Sequence, residues 1–153
     1  MNHPTSILVT GATGFVGSSL LLKLGQIADI CVVGAHRRDE PFTRHPSVVV
    51  GDINTKTNWH TAVHGQRVVI HSAARVHVMS DTSSDPFTEF RKVNVEGTLS
   101  LARQAAAAGV RRFIFISSIK VNGEGTVLGA PYHADAQPLP TDPYGISKME
   151  AEH

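Results

Sequence analysis

Two residues near the end of the chain have the types and the spacing to move a proton. Tyr144 and Lys148 lie four apart in the run PYGISK, so on a helix they stand one turn apart on one face. A phenol ordinarily titrates near pH 10, too high for a proton carrier at neutral pH. Lowering that by about three units takes roughly 4 kcal/mol of preference for the phenolate, which a neighbouring ammonium can supply where water is excluded. The spacing therefore predicts a tyrosine acid–base tuned by a lysine. The alternative is a Tyr and a Lys on a solvated helix surface.

A second constellation lies near the start. TGATGFVG places Gly11, Gly14 and Gly17 three apart, after an apolar run at 7–10 and before helically spaced apolar residues at 15–24. Between a strand and a helix, such a triplet makes a tight turn at Gly11, admits a pyrophosphate at Gly14 and lets the helix pack closely at Gly17. The amides of Phe15 and Val16 then face the anion at the helix N-terminus. This predicts a dinucleotide site. An acid at the end of the next strand would accept from the ribose 2′-hydroxyl of NAD. Here that strand ends Gly34-Ala35-His36-Arg37-Arg38, with the first acids only at Asp39 and Glu40. Two arginines suit a 2′-phosphate through charge-assisted hydrogen bonds, so NADP is expected over NAD, which stays possible. The competing reading makes Arg37 and Arg38 solvated loop charges.

The elements that must position these residues alternate along the chain. Short apolar runs at 7–10, 30–33, 47–50, 68–70 and 112–117 read as strands. Helical patterns cover 15–24, a short 57–63 capped by Thr55 or Thr57, a long 85–108 and a last helix from about 144. The long helix has Asp85 as its N-cap, Pro86 at its first position and Gly109 as its stop signal. The strands are continuously apolar rather than alternating, the habit of a parallel sheet covered on both faces. The expected architecture is α/β, a doubly wound parallel sheet of the Rossmann type.

Bulk properties exclude other classes. With 153 residues the chain is one domain's worth, and a net charge of +1 gives no electrostatic case for nucleic acid or an anionic membrane as partner. No apolar run approaches the roughly 20 residues of a membrane span, and the N-terminus lacks the regions of a signal peptide. A single cysteine, Cys31, excludes an internal disulfide framework and reads as a buried core thiol. A cytoplasmic location is expected. Of the nine histidines only His60 and His64 stand at HxxxH spacing, and they lack a nearby carboxylate, so solvated or locally hydrogen-bonded imidazoles are expected, and no metal.

Six short motifs, TGATGFVG at 10–17, GDI at 51–53, HSAA at 71–74, NVEGT at 94–98, FISSIKVNG at 115–123 and YGISK at 144–148, occur in one order. Together they resemble the N-terminal half of an extended short-chain dehydrogenase/reductase of the nucleotide-sugar epimerase/dehydratase kind. The resemblance covers nearly all of residues 1–153. It implies an NAD(P)-binding domain whose substrate domain would follow beyond this chain, so that the chain by itself keeps a cofactor site and lacks turnover.

The resemblance also implies roles. Asp52 and Ile53 would contact adenine, the carboxylate accepting from its amino group. Ala73 and Ala74 would let the cofactor pass close over the fourth strand. Asn94, costly inside a helix as is Gly97, would support a water chain to the lysine. Ser118, rather than Ser117, would hydrogen-bond the reacting oxygen. Tyr144 would be the acid–base, and Lys148 would also hold the nicotinamide ribose. His71 is expected to be a packed imidazole, not a catalyst. His77, Lys120 and Asn122 are candidate substrate-side polar groups, with His77 and Lys120 reading equally as solvated loop residues. The implied activity is oxidation–reduction or epimerisation at C4 of a nucleotide-linked sugar, by a UDP-glucose 4-epimerase-like or UDP-sugar 4-ketoreductase-like enzyme, and a homodimer is expected. The alternative is a non-catalytic dinucleotide sensor, or an inactive fragment, on the same fold.

Overall fold

The computed structural model describes residues 4–39, 45–76 and 85–153. Five strands, β1 (Thr5–Thr10), β2 (Ile30–His36), β3 (Ser47–Val49), β4 (Val68–His71) and β5 (Arg112–Phe115), form one sheet in the order β3-β2-β1-β4-β5. Every pairing is parallel. β1 lies at the centre, and the chain winds outward from it in both directions. Such a reversal opens a crevice at the carboxyl ends of the strands, where doubly wound sheets bind ligands.

The helices are α1 (Phe15–Leu24), α2 (His60–Val63), α3 (Pro86–Arg91), α4 (Thr98–Ala107) and α5 (Pro143–Glu152). One core cluster joins Leu8, Val69, Trp59, Val63, Leu101 and Ala105. Another joins Ile7, Val9, Val32 and Ile70 to Leu21 of α1. Apolar residues adjacent along β1 thus pack into two separate clusters, which is why the strand sequences do not alternate.

Several expectations meet a more particular structure. The helix expected at 85–108 begins with Asp85 accepting from the Thr88 amide at 3.1 Å and stops before Gly109, whose φ is +81°. Its middle, Lys92–Gly97, is a π-helical turn between α3 and α4. Wider turns of this kind recur at functional sites. Here the turn carries Asn94, whose side chain is buried in polar contacts rather than solvated. The short helix starts later than expected, at His60, without a side-chain cap. Thr57 instead donates to the Asp52 carbonyl at 2.8 Å and accepts from the Asn54 amide, closing the turn after β3. Cys31 is exposed, not a core thiol. It lies at the start of β2, where burial begins only with Val32.

Candidate active site

β1 ends at Thr10, and the backbone turns through Gly11 with φ of +67°, a conformation that favours glycine. A Cβ on Gly11 would lie 2.7 Å from the Ala73 nitrogen, and one on Gly17 would lie 2.1 Å from the Gly11 carbonyl oxygen. The turn therefore lies on the wall that follows β4 by backbone alone, and α1 starts against the turn by backbone alone. The nearest atoms at Gly11 and Gly14 are backbone, and at Gly17 the Ser72 hydroxyl lies 3.1 Å from a Cβ position, so the cradle is backbone-lined and fits a pyrophosphate.

The turn opens into a groove of about 910 Å³ across the carboxyl ends of β1, β2 and β4. Gly11, Gly14, Phe15, Val16, Gly17, Arg37, Arg38, Asp52, Ile53, Ala73 and Ala74 all line it. So do Arg75, Glu89 and Lys92, which the sequence reading did not select. Arg75 stands directly after HSAA, and α3 and the π turn bring Glu89 and Lys92 in. Only the packing of those helices reveals the last two.

At the far end of the groove Arg37 Nε lies 3.3 Å from Asp52 Oδ1, with both side chains largely exposed. An exposed pair of this kind contributes little to stability. The arginine can exchange a carboxylate for a phosphate at low cost. Gly97 does pack closely: a Cβ there would meet Ile53 Cγ2 at 2.4 Å.

The proton-transfer candidates lie beyond the groove lining, on a second group of elements. α5 starts at Pro143, with Asp142 accepting from the Gly145 amide at 2.6 Å. Gly145 lets α5 press on the turn that follows β5, since a Cβ there would sit 2.7 Å from the Lys120 carbonyl oxygen. That short 3-10 turn, Ile119–Val121, is capped by Ser118, whose hydroxyl accepts from the Lys120 amide at 3.2 Å and keeps its own proton to donate. Ser118 also lines a smaller hollow of about 380 Å³ with Asn122. Ser117 spends its hydroxyl on the Glu152 carboxylate.

Lys120 is paired with two carboxylates at the surface. Its ammonium lies 2.5 Å from Glu124 and 3.3 Å from Asp142, a bridge from the serine turn to the cap of α5. His77 lies outside the described residues.

Tyr144 is half-buried and packs edge-on against Phe90 at 6.2 Å between ring centroids. Lys148 is 2% exposed, with its ammonium 3.9 Å from the centre of the Phe115 ring. Burial lowers the lysine from its usual value to about 8, with the Glu152 carboxylate pulling the other way. Asn94 holds Arg75 by both backbone groups, accepting from its amide at 2.8 Å and donating to its carbonyl at 3.0 Å. It also donates to Ser147 of α5 at 2.9 Å. Asn94 thus fastens the groove wall to the helix that carries Tyr144 and Lys148.

Residues 7–153 match the family model described as the NAD dependent epimerase/dehydratase family. The chain belongs to that family. Among this family's relatives, the chain is 48% identical over 149 residues to a UDP-glucose 4-epimerase of Vibrio cholerae, covering 97% of this chain and 45% of that protein. It superposes with a TM-score of 0.81 on a short-chain dehydrogenase/reductase superfamily protein of Agrobacterium tumefaciens with bound NAD, at 33% identity over 96% of this chain and 43% of the other. The same score relates it to the UDP-glucuronic acid 4-epimerase of Bacillus cereus in complex with UDP-glucuronic acid and NAD, at 29% identity over 97% of this chain and 50% of the other. The chain spans about half the length of these family members.

Proposed function

We propose that the protein to which this chain belongs is an NAD(P)-dependent oxidoreductase or epimerase acting at C4 of a UDP-linked sugar. One observation carries this reading above the others: the residues expected at the pyrophosphate, the adenine and its ribose, and the close passage over β4 line one continuous groove that starts at the glycine turn, while Tyr144 and Lys148, expected at the nicotinamide end, stand outside that lining. The Vibrio cholerae relative supports the UDP-sugar and the epimerase chemistry, with the 4-ketoreductase reading as the variant in which the cofactor is consumed.

In this reading Gly11, Gly14 and the amides of Phe15 and Val16 hold the pyrophosphate, Asp52 and Ile53 hold adenine, and Ala73 and Ala74 give close passage. The bound nicotinamide supplies the hydride acceptor and donor. Tyr144 takes the proton of the sugar 4-hydroxyl and returns it to the 4-keto oxygen. Ser118 donates a hydrogen bond to that same oxygen, and Lys148 supplies positive charge beside the phenol and a donor for the ribose. Arg37 and Arg38 hold a 2′-phosphate, which makes NADP the preferred cofactor even though the structural relatives named above carry NAD. A homodimer and a cytoplasmic site of action belong to the same reading; among the described residues, no helix is long and apolar enough to cross a membrane.

The test begins with titration by NADPH and by NADH. The single tryptophan, Trp59, lies fully buried under the groove lining, so energy transfer from its emission to the bound dihydronicotinamide reads occupancy. Binding of NADPH at least tenfold tighter than NADH is expected. The reverse order sinks the 2′-phosphate assignment, and no binding of either sinks the cofactor site. Turnover of UDP-glucose and of a UDP-4-keto sugar by a chain extended to the length of its relatives then tests the chemistry. Tight cofactor binding with no turnover there favours a sensor on the same fold.

A further inference from the structure

His71 is 1% exposed at the end of β4, and both of its ring nitrogens have partners. The protons in this buried chain can be assigned one by one. Thr98 Oγ1 donates to the Asn94 carbonyl at 2.7 Å, so its one proton is committed. Toward His71 Nε2, 3.0 Å away, that oxygen can only accept, and Nε2 therefore carries the hydrogen. A neutral ring protonated at Nε2 has its lone pair at Nδ1, 2.6 Å from Thr10 Oγ1, so the threonine donates there. Thr10 Oγ1 then accepts from the Ala73 amide at 3.2 Å. Ser72 Oγ closes the same corner by donating to the Thr10 carbonyl at 2.6 Å.

The consequence is a groove wall pinned at two points. Ala73 is held by Thr10, and Arg75 is held by Asn94. His71 is the link between the two anchors, through Thr10 on one side and Thr98 on the other. From Asn94 the chain continues through Ser147, whose hydroxyl donates to the Tyr144 carbonyl at 2.8 Å. We propose that His71, as the neutral Nε2–H tautomer, is a positioning residue that presets the wall at 72–75 for the dinucleotide and ties it to the helix bearing Tyr144 and Lys148. This rests on the groove being a dinucleotide site.

The surroundings keep the ring in one state. Burial, and after it the charge of Lys148, hold its titration down to about 3. The rings of Phe113 and Phe115 lie 6.1 and 6.0 Å away, and the Lys148 ammonium sits on the Phe115 ring. Thr98 is the informative handle, because it is buried and does not line the groove. Thr98 also follows Gly97, whose backbone packs on Ile53 of the groove, so the Val and Ser variants, which differ in the hydroxyl, are read against each other.

The experiment combines histidine nitrogen NMR with dinucleotide titration. Long-range proton–nitrogen spectra of the 15N-labelled chain, assigned with His71→Asn, should show one imidazole that stays neutral from pH 8 to pH 5 with its hydrogen on Nε2. A His71 that titrates in this window, or that carries its hydrogen on Nδ1, overturns the proposal without any variant. Thr98→Val keeps the shape and removes the acceptor, so it should move the hydrogen to Nδ1 and weaken NADPH binding about five- to tenfold. Thr98→Ser should stay within twofold of the parent in affinity and keep the tautomer. Equal affinities for the Val and Ser variants would make the role one of packing alone and overturn the inference. A parent chain that binds neither NADPH nor NADH sinks the function reading as well. Normal parent binding with indifferent variants sinks only the role of His71.

Discussion

Lys148 is a cation buried beside an aromatic ring, and its two environments predict opposite effects on stability and on chemistry. The folded lysine releases its proton near pH 8, while the unfolded one holds it to about 10.5. Between those values the unfolded chain binds more protons, so stability rises with pH across that window. Lys148→Met should therefore unfold in urea with about 1–2 kcal/mol more stability than the parent at pH 7, because a desolvated charge is replaced by an apolar chain. That gain should shrink toward pH 10.5. Equal urea midpoints at pH 7 would contradict the burial argument. His71 gives the acid counterpart. Its folded value near 3 lies below the usual 6.5, so its contribution is complete above pH 6.5 and is lost as the pH falls toward 3. The urea midpoint should drop between pH 6.5 and pH 5, at up to about 1.4 kcal/mol per unit from this group. For the chemistry, Tyr144→Phe in the extended enzyme should lower turnover of UDP-glucose by about 10²–10⁴ while leaving NADPH affinity within a few fold.

At the scale of elements, three helices reach the site by close approach. α1 meets the glycine turn at Gly17, the π turn meets the loop after β3 at Gly97, and α5 meets the serine turn at Gly145. Each contact would be blocked by one methyl group, and at Gly17 and Gly145 the atom in the way is backbone, which cannot swing aside. Gly17→Ala should cost more than tenfold in NADPH affinity, read from Trp59 emission, with the helix content of the chain retained in its circular dichroism. Gly145→Ala should cost roughly 1–3 kcal/mol in urea unfolding, the range for overpacking a filled site, because α5 must back away from the Lys120 carbonyl. A Gly145→Ala chain as stable as the parent would show that the approach of α5 is not a constraint. Lys120 reinforces the same junction from outside, joining Glu124 to the Asp142 cap.

At the scale of the molecule, the site is divided between two groups of elements. The groove belongs to the carboxyl ends of β1, β2 and β4, and the proton-transfer candidates to β5, the turn after it and α5. Asn94 and the π turn join the two. Replacing Arg37 and Arg38 together by Met should narrow the NADPH preference toward NADH by about tenfold, the scale of losing charge-assisted hydrogen bonds to a phosphate. An unchanged ratio of the two dissociation constants would assign both arginines to solvent.

The strand–helix order, the glycine turn and the Tyr–Lys spacing were legible along the chain, because each depends on residues close together in it and on local preferences. Asp85, Pro86 and Gly109 marked the ends of a helical region for the same reason. What happens inside that region depends on contacts distant in the chain. The π turn exists where Asn94 finds Arg75 and Ser147, partners 19 and 53 residues away, and no local pattern announces them. The packing also leaves Cys31 exposed, commits Lys120 to two carboxylates and wires His71 to Thr10 and Thr98. Those outcomes follow from which surfaces are brought together across the sheet, and long-range packing overrides the propensity of a single residue.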